Sequence, residues 1–405
     1  MNTQVKKLYH IAKKEERLIL GLMSGTSLDG LDLALCLVRG NGTSTVLELV
    51  QFITIAYSES FREQVRQLFA KAEISQPHFS TMNAYIGRFH ADIINATLQK
   101  WNVSADDVDL IASHGQTVYH GPKGKLGNEQ INSTLQIGDG DHIAVGTGII
   151  TISDFRQKHI AAGGEGAPLV VYGDRLLFTA DNEHRVLLNI GGIANFTFLP
   201  SSTSDLSCYC SDIGPGNTMM DQYMQQYVGQ EMDRDAALAK SGHINQALLN
   251  QLLAVPFLRK AFPKTTGPEL FNLSLLKSMF SNEGLQQENH ADVMATLSAY
   301  TVETIVGAIQ HVLEKLSESG DQKPITIYIS GGGLHNPLIY SGIKNHLSSI
   351  GVAVKSFKEI GFNPDAKEAA LFAVLANETV AGSPTAIGEM DGAPAVCMGK
   401  ISFPY

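Results

Sequence analysis

The chain has 405 residues, 44% of them hydrophobic and 17% charged, with a formal net charge of −10; at about 150 residues per domain that leaves room for two or three domains and a sizeable core. An acidic balance without a basic stripe excludes a nucleic-acid surface, because neutralising phosphates needs clustered Lys and Arg. No run approaches the roughly 18 to 20 apolar residues that cross a bilayer, so a soluble globular protein with no membrane partner is expected.

The first residues, MNTQVKKLYHIAKKEERL, carry positive charge but lack the apolar segment and small-residue cleavage site of a signal peptide, and read as a mobile or helical extension over 1–16. Next comes LILGLMSGTSLDGLDLALCLV, in which Leu18 to Met23 and Leu31 to Val38 are apolar and Ser24 to Gly30 supply turn chemistry. That pattern predicts a β-hairpin. Gly25 and Gly30 permit positive φ and close approach, and Thr26 and Ser27 offer hydroxyls and N–H donors, so the tip suits an anion; the plain alternative is that any hairpin needs Gly and Asp at its turn. A further strand is expected over 47–57, helices over about 59–73 and 80–101, and a buried strand over Val108 to Ser113.

From Val186 the string VLLNIGGIANFTFL repeats the opening device of strand, glycine turn and strand. Helical spacing marks about 216–229, 244–260 and 291–316. Ile325 to Ser330 read as a buried strand, followed by three glycines and a helix from about Asn336, a place where chains hold nucleotides. No GxxxxGK[ST] string occurs, which excludes a P-loop. Two hairpin-bearing halves and a third glycine-rich junction fit an α/β protein with a nucleotide clamped in the cleft between two domains. Cys36, Cys208, Cys210 and Cys397 are too few and scattered for a disulfide scaffold, and the spacing of Cys208 and Cys210 is not that of a zinc site, so free thiols in a reducing cytoplasm are expected and no structural metal.

Three glycine turns in the order GTS, IGG and SGGG resemble the phosphate and adenosine elements of the sugar kinase, Hsp70 and actin superfamily. Within it, GLMSGTSLDGLDLAL (21–35), SHGQT (113–117), QIGDGDHIA (136–144), DFRQKHIAAGGEGAPLV (154–170), LNIGGIANFT (188–197) and DIGPGNTMMD (212–221) resemble the anhydro-N-acetylmuramic acid kinase family from about residue 17 to the C-terminus. The resemblance implies a two-domain actin-like (RNase H-like) kinase fold with an interdomain nucleotide cleft. It divides the chain into the extension, a first domain over 17–153 plus about 365–405, and a second over 154–364. It also implies the reaction of ATP, water and 1,6-anhydro-N-acetylmuramic acid to N-acetylmuramic acid 6-phosphate and ADP in peptidoglycan recycling, in the cytoplasm, with a homodimer as the family's suggestion.

In that reading Gly25, Thr26, Ser27, Leu28, Asp29, Gly30, Leu31 and Asp32 form the first phosphate loop. Gly191 and Gly192 with Asn195 form the second, and Gly331, Gly332 and Gly333 with Asn336 lie against the adenosine. Mg2+ is expected with ATP because a hard dication neutralises charge on the phosphates. Ordinary sugar kinases carry an Asp where this chain has Met23, which leaves Asp29 and Asp32 as candidate carboxylates, or as residues that only set the turn.

Opening an anhydro bridge requires a base to take a proton from water. The resemblance gives that role to Asp212, although an Asp before GPGN is by itself more often a turn or cap residue. Arg156 has the planar fork for the substrate's lactyl carboxylate, or could form a salt bridge. Asp154 could take a sugar hydroxyl or orient Arg156. His114 and Gln116 are expected to face the cleft after the buried strand, with a structural His as the alternative, and Gly163 and Gly164 to let their loop pass close to the sugar. Lys264 and Glu269 in KTTGPE are weaker candidates. The competing functions are an ordinary N-acetylhexosamine kinase and an actin- or Hsp70-like ATPase module.

Overall fold

The computed structural model describes residues 1–121, 123, 131–280, 288–387, 390–391 and 393–405. Its chain divides into unit 1, residues 1–178 with 365–405, and unit 2, residues 179–364. The stretch 154–178 therefore stays with unit 1, where a boundary at 153 had been expected. Side-chain packing explains it: the Phe155 and Phe372 rings lie 5.3 Å apart, Lys367 pairs with Asp174 at 2.7 Å, and the Tyr172 hydroxyl donates to the Pro394 carbonyl at 2.6 Å.

In unit 1 the expected hairpin is β1 (Glu16–Ser24) against β2 (Gly30–Arg39), and β3 (Val46–Ala56) pairs antiparallel with β2. Strand β4 (Leu110–Gly121) lies parallel to β1 and carries β5 (Ser133–Ile137) at its far end; β6 (Thr151–Ser153) lies parallel to β4 and pairs with the C-terminal strand Lys400–Ser402. The order through this sheet is C-terminal strand, β6, β4, β1, β2, β3. Helix Gln76–Trp101 starts at the Ser75 cap and ends where Asn102 turns left-handed. Met82, Ile86, His90, Ile94 and Leu98, one turn apart, form its buried face, the stripe that a helix against a sheet requires. Gly21 is needed for close packing of another helix, since a Cβ there would lie 1.9 Å from the Ala369 carbonyl oxygen. The extension is helical, Thr3–Lys13, capped by Asn2 and tied down by buried Ile11 and a 2.6 Å Lys14–Asp109 pair.

Unit 2 repeats the plan. Strands β7 (His184–Ile190), β8 (Ile193–Leu199) and β9 (Tyr209–Pro215) run antiparallel in turn, while β10 (Ile325–Ser330) lies parallel to β7 and β11 (Ala353–Ser356) parallel to β10. Its order β11-β10-β7-β8-β9 matches β6-β4-β1-β2-β3 strand for strand. Helix His290–Ser319, capped by Asn289 and closed by Gly320 at φ 73°, packs its apolar face into this unit's core with Phe196, Tyr223 and Phe271. The stretch expected as one helix over 216–229 is an α-helix, Thr218–Tyr223, running into a π-helical turn, Met224–Val228. That over 244–260 ends at Leu253, because Pro256 follows. Among the described residues no helix is long and apolar enough to cross a membrane.

Candidate active site

The first glycine turn, between β1 and β2, is shaped differently from its expected chemistry. Its positive φ falls on Leu28, at 59°, and not on Gly25 or Gly30. Gly30 is needed for space, as a Cβ there would sit 2.6 Å from the Ile55 carbonyl oxygen of β3. Leu28 and Leu31 are buried in the core, so Gly25, Thr26, Ser27 and Asp29 are the turn residues left to meet an anion. One Asp29 oxygen already receives the Ser27 hydroxyl at 2.8 Å and the Gly30 N–H at 3.1 Å. Asp32 accepts from Thr54 at 2.5 Å, and burial raises its carboxyl above the usual range, against the Thr54 bond that lowers it. Among the described residues there is no group of three or more His, Cys, Asp or Glu positioned to hold a metal.

Beneath the turn runs a buried polar chain. The Tyr57 hydroxyl donates to Ser24 at 2.9 Å and meets His90 Nε2 at 2.9 Å; the Ser24 hydroxyl donates to Gln116 Oε1 at 2.6 Å; and Gln116 Nε2 donates to the Gly25 carbonyl at 3.2 Å. Gln116 is fully buried. It braces the turn from below. Ser24 and Tyr57 went unnoticed in the sequence because their partners lie tens of residues away.

His114 is likewise buried, and its tautomer follows from its neighbours. Nδ1 faces the Gly115 carbonyl at 2.9 Å, which can only accept, and Nε2 faces the Arg156 Nε–H at 3.0 Å, which can only donate. The ring is therefore neutral, and burial followed by the Arg156 charge holds it down to about 3. Arg156 also donates from Nη1 to the Gly166 carbonyl at 2.7 Å, which leaves Nη2 for an anion. Burial lowers it to about 10, with Glu368 opposing, so it stays cationic near neutrality. Asp154, at φ 57°, starts helix Phe155–Ala161 and pairs with Lys400. Gly163 takes φ 97°. A Cβ on Gly164 would strike the His159 ring at 2.2 Å, and His159 Nδ1 accepts the Gly166 N–H at 2.9 Å. These glycines close the loop over His159.

In unit 2 three glycine segments come together. The Gly192 carbonyl accepts from Gly216 N–H at 2.9 Å and Thr218 N–H at 3.2 Å, and the Gly191 carbonyl from Asn217 N–H at 2.9 Å. Gly331, at φ 86°, lies where a Cβ would meet Asn189 Oδ1 and the Ile190 carbonyl oxygen, both at 2.6 Å. Asn336 caps helix Pro337–Ser349, its side chain accepting from Leu338 and Ile339 N–H groups at 3.0 and 3.2 Å. Asn195 on β8 is the register partner of Asp212 on β9. Asp212 is half-buried, with one carboxylate oxygen accepting the Thr266 N–H at 2.8 Å and its own N–H donating to the Lys264 carbonyl at 3.0 Å. The Lys264 ammonium turns elsewhere, to the Phe257 and Leu258 carbonyls at 3.2 and 3.0 Å. The KTTGPE string thus reaches Asp212 through the backbone of Lys264 and Thr266 and not through the lysine charge.

Two units of one sheet order, each with a glycine turn on its first hairpin, define a two-domain actin-like kinase fold. Sequence comparison makes the family particular. The family model described as anhydro-N-acetylmuramic acid kinase matches residues 17–404. A protein of that name from Pseudoalteromonas atlantica is 49% identical, with 100% of each chain covered. Others, from Pseudoalteromonas translucida and Caldanaerobacter subterraneus, are 48% identical, covering 100% of each chain, and 38% identical, covering 98% of this chain and 100% of the relative. This chain belongs to the anhydro-N-acetylmuramic acid kinase family, and it is an ATP-using kinase.

Proposed function

We propose that the protein opens 1,6-anhydro-N-acetylmuramic acid with water and phosphorylates O6 from ATP, giving N-acetylmuramic acid 6-phosphate and ADP, in peptidoglycan recycling in the cytoplasm. The observation that carries this reading is the family match over residues 17–404. Asp212 takes the proton as water attacks C1. The C1–O6 bond breaks, O6 attacks the γ-phosphorus, and ADP leaves with the electrons of the bond to the β-phosphate oxygen. The Thr266 N–H at 2.8 Å supports this role, since a hydrogen bond to the carboxylate fixes the orientation of the group that meets the water.

Arg156, steered by neutral His114, binds the lactyl carboxylate through Nη2, with Asp154, Gly163 and Gly164 shaping its surroundings. Phosphates are held by the exposed groups of Gly25, Thr26, Ser27 and Asp29 and by the turn at Gly191 and Gly192. Gly331, Gly332 and Gly333 take the adenosine, and Asn195 steadies the Asp212 strand. Asp29 and Asp32 would hold Mg2+, which when bound would supply positive charge against the phosphates. The direct test incubates the protein with ATP and the anhydro sugar. The expected product exceeds the substrate mass by one water and one phosphoryl group, and no such product forms from N-acetylglucosamine. Phosphorylation of N-acetylglucosamine alone, or ATP hydrolysis without any sugar product, would overturn the reading.

A further inference from the structure

On the opposite side of β9 from Asp212, unit 2 contains a cavity of about 510 Å³ that the reaction above does not use. Ile213, the residue after Asp212, lines it. Its walls are of two kinds. Ile213, Leu253, Phe262 and Ala308 are apolar, whereas Arg259, Lys260 and Lys264 bring three basic side chains against the single carboxylate of Glu303.

Lys264 is the unusual member. Its side chain is 9% exposed, and its ammonium stands 4.8 and 4.5 Å from the Phe257 and Phe262 ring centroids. Two of its three hydrogens go to the Phe257 and Leu258 carbonyls, and the third has no acceptor among the described residues. Burial lowers it to about 8, so near neutral pH it remains a mostly charged, poorly hydrated cation. Such a group gains from an anion that brings its own apolar surface.

The wall opposite is also built for space. Gly307 lies in the interior of helix His290–Ser319, where glycine is among the poorest helix formers. A Cβ there would meet nothing within 4 Å. Packing does not require this glycine, and it leaves room in the cavity that a larger residue would fill.

We propose that this cavity binds an organic anion with an apolar body, and that its occupancy is transmitted to the strand and loop carrying Asp212. The connection is short. The Lys264 N–H donates to Ser211 Oγ at 2.9 Å, its carbonyl accepts the Asp212 N–H at 3.0 Å, and Thr266, two residues on, donates to the Asp212 carboxylate at 2.8 Å. An anion that draws the Lys264 side chain toward it pulls on the backbone that fixes Asp212. The proposal concerns this backbone and does not depend on which reaction Asp212 serves.

The probe is 8-anilinonaphthalene-1-sulfonate, an apolar body with one sulfonate, titrated by fluorescence into the full chain. One saturable site is expected, unaffected by saturating ATP. Affinity should fall at least tenfold in Gly307→Leu, which fills the space with a better helix former, and in Arg259→Glu, which reverses a cation at the mouth. Thermal melting of Gly307→Leu should be unchanged or higher, which separates a filled site from an unfolded chain. In nitrogen-15 spectra the Asp212 and Thr266 amides should shift on saturation in the parent protein and stay still in Gly307→Leu. No saturable binding, displacement by ATP, or equal affinity in a folded Gly307→Leu would overturn the site. Binding that leaves both amides unmoved would overturn the transmission. None of these readings needs turnover, so a failed sugar assay leaves the result intact.

Discussion

The two glycine turns occupy the same place in two sheets of the same order, yet they are held by different means. The turn of unit 1 rests on side chains: Asp29 ties its tip, and Tyr57, Ser24 and Gln116 brace it from below. The turn of unit 2 rests on backbone, with the Gly191 and Gly192 carbonyls taking the N–H groups of residues 216–218. Side-chain bracing fails when a hydroxyl is removed, and backbone bracing fails when a methyl group crowds the segment that donates to it. A Cβ on Gly25 comes no nearer than 3.6 Å to Ser27 Oγ, whereas one on Gly216 would sit 2.2 Å from the Gly191 carbonyl oxygen.

The largest expected effect concerns the base proposed in unit 2. Asp212→Asn keeps the size and cannot accept a proton, so kcat should fall on the order of 10² to 10⁴ with little change in nucleotide affinity. Near-normal turnover would remove Asp212 from the base role.

Acid should separate the units next. His90, His114 and His159 all lie in unit 1, and burial holds them down to about 4, 3 and 4 from 6.5. Because the folded values lie below the unfolded one, the unfolded chain binds more protons as pH falls. Stability is therefore full above about pH 6.5 and is lost below it, at about 1.4 kcal/mol per pH unit for each imidazole. Hydrogen exchange followed from pH 7 to 4 should show unit 1 amides losing protection first. Earlier loss in unit 2 would contradict the assignment of these rings as buried and neutral.

Backbone bracing is tested by Gly216→Ala, which should cost about 1–3 kcal/mol in denaturant unfolding and weaken ATP binding. Its counterpart Gly25→Ala should leave unfolding stability within error, about 0.5 kcal/mol. Equal effects would erase the contrast between the turns. Side-chain bracing is tested by Tyr57→Phe, which leaves buried Ser24 and His90 groups short of a partner and should cost about 1–2 kcal/mol in the same measurement. A neutral result would mean that the chain beneath the first turn does not support it.

The sequence made both hairpins legible, because apolar runs around Gly25 and Gly191 admit little else, and it placed Asp212 and Arg156 within strings that resemble the family and the SGGG junction among glycine turns that resemble the wider superfamily. What it could not show was the direction of individual side chains. Gln116 and His114 read as lying after the buried strand, but they sit within β4 itself, buried, and meet Gly25 and Arg156. Leu28 carries the positive φ that the neighbouring glycines suggested, since an apolar side chain anchored in the core fixes that turn. The π-helical turn at Met224–Val228 and the grip of Lys264 and Thr266 on Asp212 depend on contacts distant in sequence and have no local signature.

The central claim is that water enters the sugar while O6 receives the phosphoryl group, and the most direct measurement follows the water oxygen. With the anhydro sugar, ATP and water enriched in oxygen-18, an early quenched sample should carry the label on C1 of the phosphorylated product, with none in the phosphate ester, because the ester bridge keeps the original O6. The first product should be the α-anomer, since water approaches opposite the departing bridge. Quenching early precedes the exchange that mutarotation allows. Label found in released phosphate, or a phosphorylated sugar without label at C1, would contradict the account.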